Sequence, residues 1–284
     1  MAMQGTHYEA SDGSSFEPLY RHPASDPPAM QAWSPFVARI RALVAAHVGH
    51  PINHALIQLY RSGADFISEH SDKTLDIMPK SCIVNFSLGA TRAMVLKLKK
   101  ETVAHRAAFL SACPKSRFPK TQKKHEVMLP NNSLFVFGLQ SNQFMTHSIK
   151  RDKRPESAKG QDELAFGGER ISITFRHIGS FVRRKHALVV GMGAPNPWKA
   201  VEADEEKRLL RVEGLNKKVK LLSGDAGKDS RSKTEQKLLV AFSKENQQGA
   251  SFDWQEAYGA GFSIAHLTDD SAELQSRKER STFL

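Results

Sequence analysis

The first 29 residues carry no sustained apolar period and close on the Pro-rich run ASDPPAM, so they read as an irregular arm. The pattern changes at Trp33. In WSPFVARIRALVAAHVGH, Phe36, Ile40, Leu43, Val44 and Val48 recur at helical spacing, with Ser34 as N-cap, Pro35 at the first helical position and Gly49 near the end. From Ala55 to Phe181 the chain turns to short β-type runs: ALIQLY, ADFIS, SCIVNFSLG, RAMVLKLK, EVMLP, SLFVFGL, HSIK and RISITFRHI. Many short strands separated by turn signals predict a mainly β fold with flanking helices, a sandwich or jelly roll. Two insertions, 101–124 (basic) and 152–168 (charged, ending in Gly-Gly), read as surface loops of the kind that carry substrate contacts. After Gly193, APNPW marks a boundary. Beyond it come the charged helical stretches ADEEKRLLRV and KTEQKLLVAFSKENQ, then FDWQEAYGAGFSIAHL, whose aromatic residues are expected to dock on the rest. The reading is an arm at 1–29, a β-rich domain at 30–190 and a smaller α-rich extension at 191–284, with no internal repeat.

Composition narrows the setting. No apolar run approaches the roughly 20 residues of a membrane span, and MAMQGTHYEASDGSS lacks the basic and apolar regions of a secretory signal. Cys82 lies in an apolar strand-like run and Cys113 in a Lys-rich loop, so no structural disulfide is expected between them. An intracellular protein, cytoplasmic or nuclear, fits. The net charge of +11 would suit nucleic-acid phosphates or small anions. It concentrates in Lys97–Lys124, KRDKR at Lys150–Arg154 and RRK at Arg183–Lys185, and such runs are most often solvated loops. SGDAGKDS lacks the glycine spacing of a phosphate-binding loop, and GMGAPN lacks the third glycine of a dinucleotide fingerprint.

The chemistry is suggested by FISEHSDKTLD. Strand alternation would put His70 and Asp72 on one face, although His-x-Asp alone carries little. A third ligand is available in His147, between the strands SLFVFGL and HSIK. Two histidines and a carboxylate on one face of a metal, with open positions opposite, is the ligand set of non-haem Fe(II) oxygenases. In RISITFR, alternation sends Arg170, Ser172, Thr174 and Arg176 to one face and Ile171, Ile173 and Phe175 to the core. The two guanidiniums could bracket a small dianion from both ends, because arginine matches carboxylates in a bidentate geometry.

The ordered set HSD, His147 and ERISITFR resembles the AlkB-like branch of the Fe(II)/2-oxoglutarate dioxygenases, with its His-x-Asp, distant His and Arg-x5-Arg. The resemblance spans about residues 30–180 and implies a distorted double-stranded β-helix, or jelly roll. It implies Fe(II) on His70, Asp72 and His147, with dioxygen and 2-oxoglutarate as cosubstrates. Tyr60 falls at the position of the family's 2-oxoglutarate tyrosine, joined by Arg170 and Arg176, and Gln58 stands where the family usually has asparagine. Thr74 replaces the acidic residue that repair members carry two positions after the metal aspartate, and only about 30 residues precede the first helix, whereas those members have a longer lid. YRHPA, LIQLYRSGADFISEHSDKTLD and the extension look similar to fungal members, some linked to specialised metabolism. The expected substrate is therefore a small amino acid or related metabolite, oxidised by hydroxylation or by ring closure such as aziridine formation, with Thr74, Asp76 or the Lys-rich insertion near it. Oxidative demethylation of N-alkylated DNA or RNA bases through the basic loops is the alternative. A non-catalytic nucleic-acid-binding protein retaining the fold is a third reading, against which the intact metal and arginine positions argue.

Overall fold

A computed structural model describes residues 1–9, 13, 15–23, 28–104, 106–112, 124–183, 188–195 and 226–264. Residues 105 and 113–123 of the Lys-rich insertion, Cys113 among them, together with Arg184, Lys185 and ADEEKRLLRV, lie outside the described residues. The chain begins with β1 (Ala2–Gly5), β2 (Tyr8–Glu9), β3 (Ser15–Pro18), β4 (Met30–Gln31) and α1 (Pro35–Val48). Then come β5 (His54–Tyr60), β6 (Ile67–His70), β7 (Cys82–Gly89), β8 (Arg92–Leu98), α2 (Lys100–Ala104) and α3 (Arg106–Ala112). β9 (Lys124–Leu129), β10 (Ser133–Gly138), α4 (Leu139–Phe144), β11 (Met145–Ile149), α5 (Gln161–Leu164) and β12 (Arg170–Arg176) follow. The described part closes with β13 (Ser180–Arg183), β14 (Leu188–Gly191), α6 (Ala226–Gln247) and α7 (Trp254–Tyr258).

The strands form a six-stranded sheet, β10-β7-β12-β5-β1-β4, and two four-stranded sheets, β6-β11-β8-β9 and β14-β13-β3-β2. The first two share one core: Tyr60, Ile83 and Phe137 from the larger sheet meet Met94, Leu96, Leu129 and Ile149 from the smaller. Two mostly antiparallel sheets closing over a common interior give the mainly β, jelly-roll-type architecture expected. The N-terminal arm departs from expectation. β1 pairs with β5 and β4, and β3 pairs with β13, so the arm completes two sheets. Runs of two to four residues are too short to show a period, and only pairing reveals them.

Helix α1 forms as the capping pattern predicts. Gly49 adopts φ 72°, in the left-handed region, and its N–H closes on the Ala45 carbonyl. Ser34 takes the N-cap place without capping, because its hydroxyl donates to Gln4 Oε1. The buried stripe is Val37, Ile40 and Val44, against Ala55, Val84, Ile173 and Phe175 of the large sheet. Phe36 and Leu43, expected to face inward, are 61% and 66% exposed, since they stand one step round the helix from that stripe. Ile171 is also 38% exposed, whereas Ile173 and Phe175 are buried.

The extension docks as its aromatic pattern suggests. Leu238, Ala241 and Phe242 of α6 and Tyr258 of α7 bury Leu75, with Phe252, Trp254, Phe262 and Ile264 around them. Leu75 is three residues past Asp72, so this small core abuts the candidate metal loop. Among the described residues no helix is long and apolar enough to cross a membrane.

Candidate active site

His70 ends β6 and His147 sits in β11 directly opposite it, as antiparallel partners. Their rings are 4.3 Å apart. Asp72 Oδ1 lies 3.8 Å from His70 Nε2 and 3.6 Å from His147 Nε2. The three ligand atoms all fall within 4.8 Å of one another. Alternation along one strand does not place Asp72, because β6 stops at His70. Instead Asn142 of α4 grips the loop, its Oδ1 accepting from Asp72 N and its Nδ2 donating to Asp72 O, each at 2.9 Å. The Ser68 carbonyl is 2.7 Å from His70 Nδ1, a contact that holds the proton there and leaves Nε2 free to ligate. Burial would raise the Asp72 carboxyl, but the charged Arg176 guanidinium that donates to it outweighs burial and holds it well below the usual carboxylate range. Burial pushes His147 down to about 3, so its imidazole is neutral near pH 7, the form that binds metal.

The alternation expected for β12 is observed. Arg170, Ser172, Thr174 and Arg176 all line one pocket with His70, Asp72 and His147. β5 adds Gln58 and Tyr60, which stand opposite Ser172 and Arg170 in the sheet. Arg170 is fully buried; its Nη2 donates to Asn85 Oδ1 at 3.0 Å and Ser87 Oγ at 2.8 Å, with the guanidinium carbon 5.2 Å from the Tyr60 ring centre. Arg176 is not the free second anchor that the sequence suggested. Its Nε and Nη2 both donate to Asp72 Oδ2, at 2.8 and 2.6 Å, orienting the carboxylate so that Oδ1 faces the histidines. Arg176 also lies over the Tyr20 ring, 4.1 Å from its centre.

Residues 2–176 match the 2OG-Fe(II) oxygenase superfamily. The chain belongs to that superfamily. It is 27% identical over 149 residues to the mouse (Mus musculus) DNA oxidative demethylase ALKBH2, covering 51% of this chain and 52% of that protein. It is 39% identical over 67 residues to the human (Homo sapiens) ALKBH2, covering 24% of this chain and 26% of that one. The bovine (Bos taurus) protein matches at 27% over 156 residues, covering 55% and 48%. The chain thus spans about half or less of the curated relatives it matches, and the likeness is AlkB-like. These relatives are mammalian, so the expected fungal likeness finds no support in them. A solved structure of OsALKBH1 aligns with 62% of this chain and 76% of that one, at 14% identity and a TM-score of 0.35.

Superfamily membership makes Fe(II), 2-oxoglutarate and dioxygen the cofactor and cosubstrates of this non-haem dioxygenase class. The residues present fit them. Two imidazoles and a carboxylate converge, and Arg170 Nε and Nη1 and Arg176 Nη1 are buried without a hydrogen-bond acceptor. Such donors are costly to bury unmet, and an anion with a carboxylate at each end would satisfy both. Tyr60, whose hydroxyl burial pushes up in pKa, stays a neutral donor beside Arg170.

Two expected substrate contacts are corrected. Asp76 is fully buried in an ion pair with Arg21, Oδ1 to Nη2 at 2.5 Å, and is not on the pocket wall. Thr74 also faces away, its hydroxyl donating to Glu245 Oε1 at 2.5 Å and its N–H to the same oxygen. Asn85, Asn142 and Tyr20 were missed. Asn85 was legible in principle as a polar residue inside the apolar strand SCIVNFSLG, whereas Asn142 and Tyr20 act through contacts across more than 50 residues.

Proposed function

We propose that the protein oxidises N-alkyl groups on nucleic-acid bases as an Fe(II)/2-oxoglutarate-dependent demethylase, working in the cytoplasm or nucleus. The observation that carries this reading is a platform at the pocket rim. Phe66 is 49% exposed, with the Arg151 guanidinium 4.3 Å from its ring centre. Both line a groove that shares Gln58 and Tyr60 with the metal pocket. A flat cationic-aromatic surface one wall away from the iron ligands suits stacking of a base in a single strand. The +11 charge and the relatives' description as DNA oxidative demethylases support it. An Fe(II) ion held by His70, Asp72 and His147 would supply the chemistry in which one atom of dioxygen goes to succinate as 2-oxoglutarate loses CO2 and the other goes to a substrate C–H bond. The chain's own part is to position: Arg170 and Tyr60 take the distal carboxylate, Arg176 steers Asp72, and Ile67, Met94 and Phe135 keep the pocket wall apolar. The test is binding of a methylated single-stranded oligonucleotide to the 2-oxoglutarate-loaded protein. Affinity falling steeply with salt, and at least fivefold in Phe66→Ala, is expected; salt-independent or undetectable binding refutes it.

Oxidation of a small amino compound, including ring closure, is the second reading, and it too has an observation behind it. Among the described pocket-lining residues the only carboxylate is Asp72, already tied to Arg176, so none is left to read a base edge. Several basic residues are also locally neutralised: Lys97 by Glu69, Lys124 by Glu126, and Arg154 by Asp152 and Glu163. Succinate production stimulated by an amino-acid pool and not by the oligonucleotide would favour it.

A further inference from the structure

The metal loop is held from a part of the chain about 70 residues beyond the superfamily match. Asn246, near the end of α6, presents Oδ1 to three donors: Ser71 N and Ser71 Oγ, each at 3.0 Å, and Lys73 Nζ. Ser71 and Lys73 are the two residues flanking Asp72. The preceding residue, Glu245, is 2% exposed. Its Oε1 accepts from Thr74 N and Oγ1, and its Oε2 from the Tyr258 hydroxyl at 2.6 Å. Trp254 Nε1 donates to the Thr74 carbonyl at 3.3 Å, and Lys99 reaches the Glu245 carbonyl. Loop residues 71, 73 and 74 therefore hang on two consecutive side chains of the C-terminal helix, while Asn142 and Arg176 hold Asp72 from the other side.

We infer that Glu245 and Asn246 are positioning residues for the iron-binding aspartate, so that the C-terminal helix completes the metal centre. The inference rests on the Fe(II) reading of His70, Asp72 and His147. A backbone loop of four residues between His70 and Leu75 has enough freedom to move Asp72 Oδ1 by about an ångström or more. The acceptors of buried Glu245 and half-buried Asn246 remove that freedom through five backbone and side-chain donors of the loop, each of which would lose its partner if the loop shifted. Packing of Leu75 alone would bury the loop without setting its register.

The test uses the full chain and Mn(II), a redox-inert stand-in for Fe(II), with affinity read by titration and site geometry by electron paramagnetic resonance. Asn246→Ala should weaken Mn(II) binding about 10-fold or more and broaden its spectrum. Asn246→Asp, which keeps an oxygen acceptor at that place, should restore affinity to within about threefold of the original chain. Leu238→Ala provides the control for packing: it removes apolar contact from the same small core without touching the polar contacts, and should lower the melting temperature while leaving Mn(II) affinity of the folded protein within about threefold. Unchanged affinity in Asn246→Ala, or an equal loss in Leu238→Ala, would overturn the inference while leaving the metal site intact. Absence of Mn(II) binding by the unaltered chain would instead remove the reading on which it depends.

Discussion

Replacing Arg170 should move two properties in opposite directions. In the unliganded protein its charge is buried with Nε and Nη1 unmet, and burial depresses its pKa. A methionine of similar length removes that buried charge, and such replacements are neutral or stabilising by about 1–4 kcal/mol. Asn85 is not stranded by the loss, because its Oδ1 still accepts from Ser87 Oγ at 3.1 Å and its Nδ2 still donates to Ser172 Oγ at 2.6 Å. Binding of 2-oxoglutarate should suffer instead. Breaking a buried charge pair by truncating one side costs about 2–5 kcal/mol, which is roughly 30-fold to several-thousandfold in affinity at about 1.4 kcal/mol per tenfold. Arg170→Lys keeps charge but loses the fork, so a loss of about 10- to 100-fold is expected, from about 1.5–3 kcal/mol for one hydrogen bond to a charged group. The assay is titration of 2-oxoglutarate into Mn(II)-loaded protein, beside melting of the unliganded protein. Pyruvate, which lacks the distal carboxylate, should bind the original chain and Arg170→Met with equal affinity. The reasoning fails if Arg170→Met holds 2-oxoglutarate within threefold of the original affinity, or if pyruvate binding falls in parallel.

Three further outcomes are expected. Asp76→Ala leaves Arg21 charged and buried, so it should destabilise the fold by about 3–5 kcal/mol yet leave the 2-oxoglutarate KM of the folded enzyme unchanged, as denaturant melts and steady-state kinetics would establish; a raised KM would return Asp76 to the site. Burial lowers His22 to about 4 and His54 well below its usual value, with Arg176 adding to both. A histidine depressed on folding contributes stability that is full above pH 6.5 and is lost as pH falls toward 4, because the unfolded chain then binds more protons; urea midpoints of the unliganded protein should drop across that window, and less steeply in His54→Phe. His70→Ala and His147→Ala should each abolish measurable Mn(II) binding while leaving the circular dichroism spectrum unchanged, and retention of tight binding in either would remove that ligand from the set.

What was legible in the sequence is what local pattern controls. RISITFR shows its two faces by period alone, and the structure keeps them, with Arg170, Ser172, Thr174 and Arg176 on the pocket wall. Residue type and order likewise identified His70, Asp72 and His147, which the structure brings together. The failures follow from contacts that no local period encodes. Asp72 is positioned by Asn142, a residue 70 positions away, and not by the strand before it. Arg176 is drawn to Asp72 by charge, which a strand pattern cannot distinguish from a free anchor. Asp76 looked available because it follows the metal loop, but its partner Arg21 lies in the arm that was read as irregular. Helix α1 shows the same limit on a smaller scale: two adjacent apolar stripes satisfied the helical period, and only the sheet beneath selected Val37, Ile40 and Val44.

The most direct test of the account is Fe(II)-dependent succinate formation from 2-oxoglutarate by the purified chain, measured with and without an N-methylated single-stranded oligonucleotide and repeated in Asp72→Ala. The account predicts turnover that needs added Fe(II), rises with the oligonucleotide and disappears in Asp72→Ala. Turnover that persists in Asp72→Ala, or no Fe(II)-dependent succinate from the unaltered chain under any condition, would contradict it.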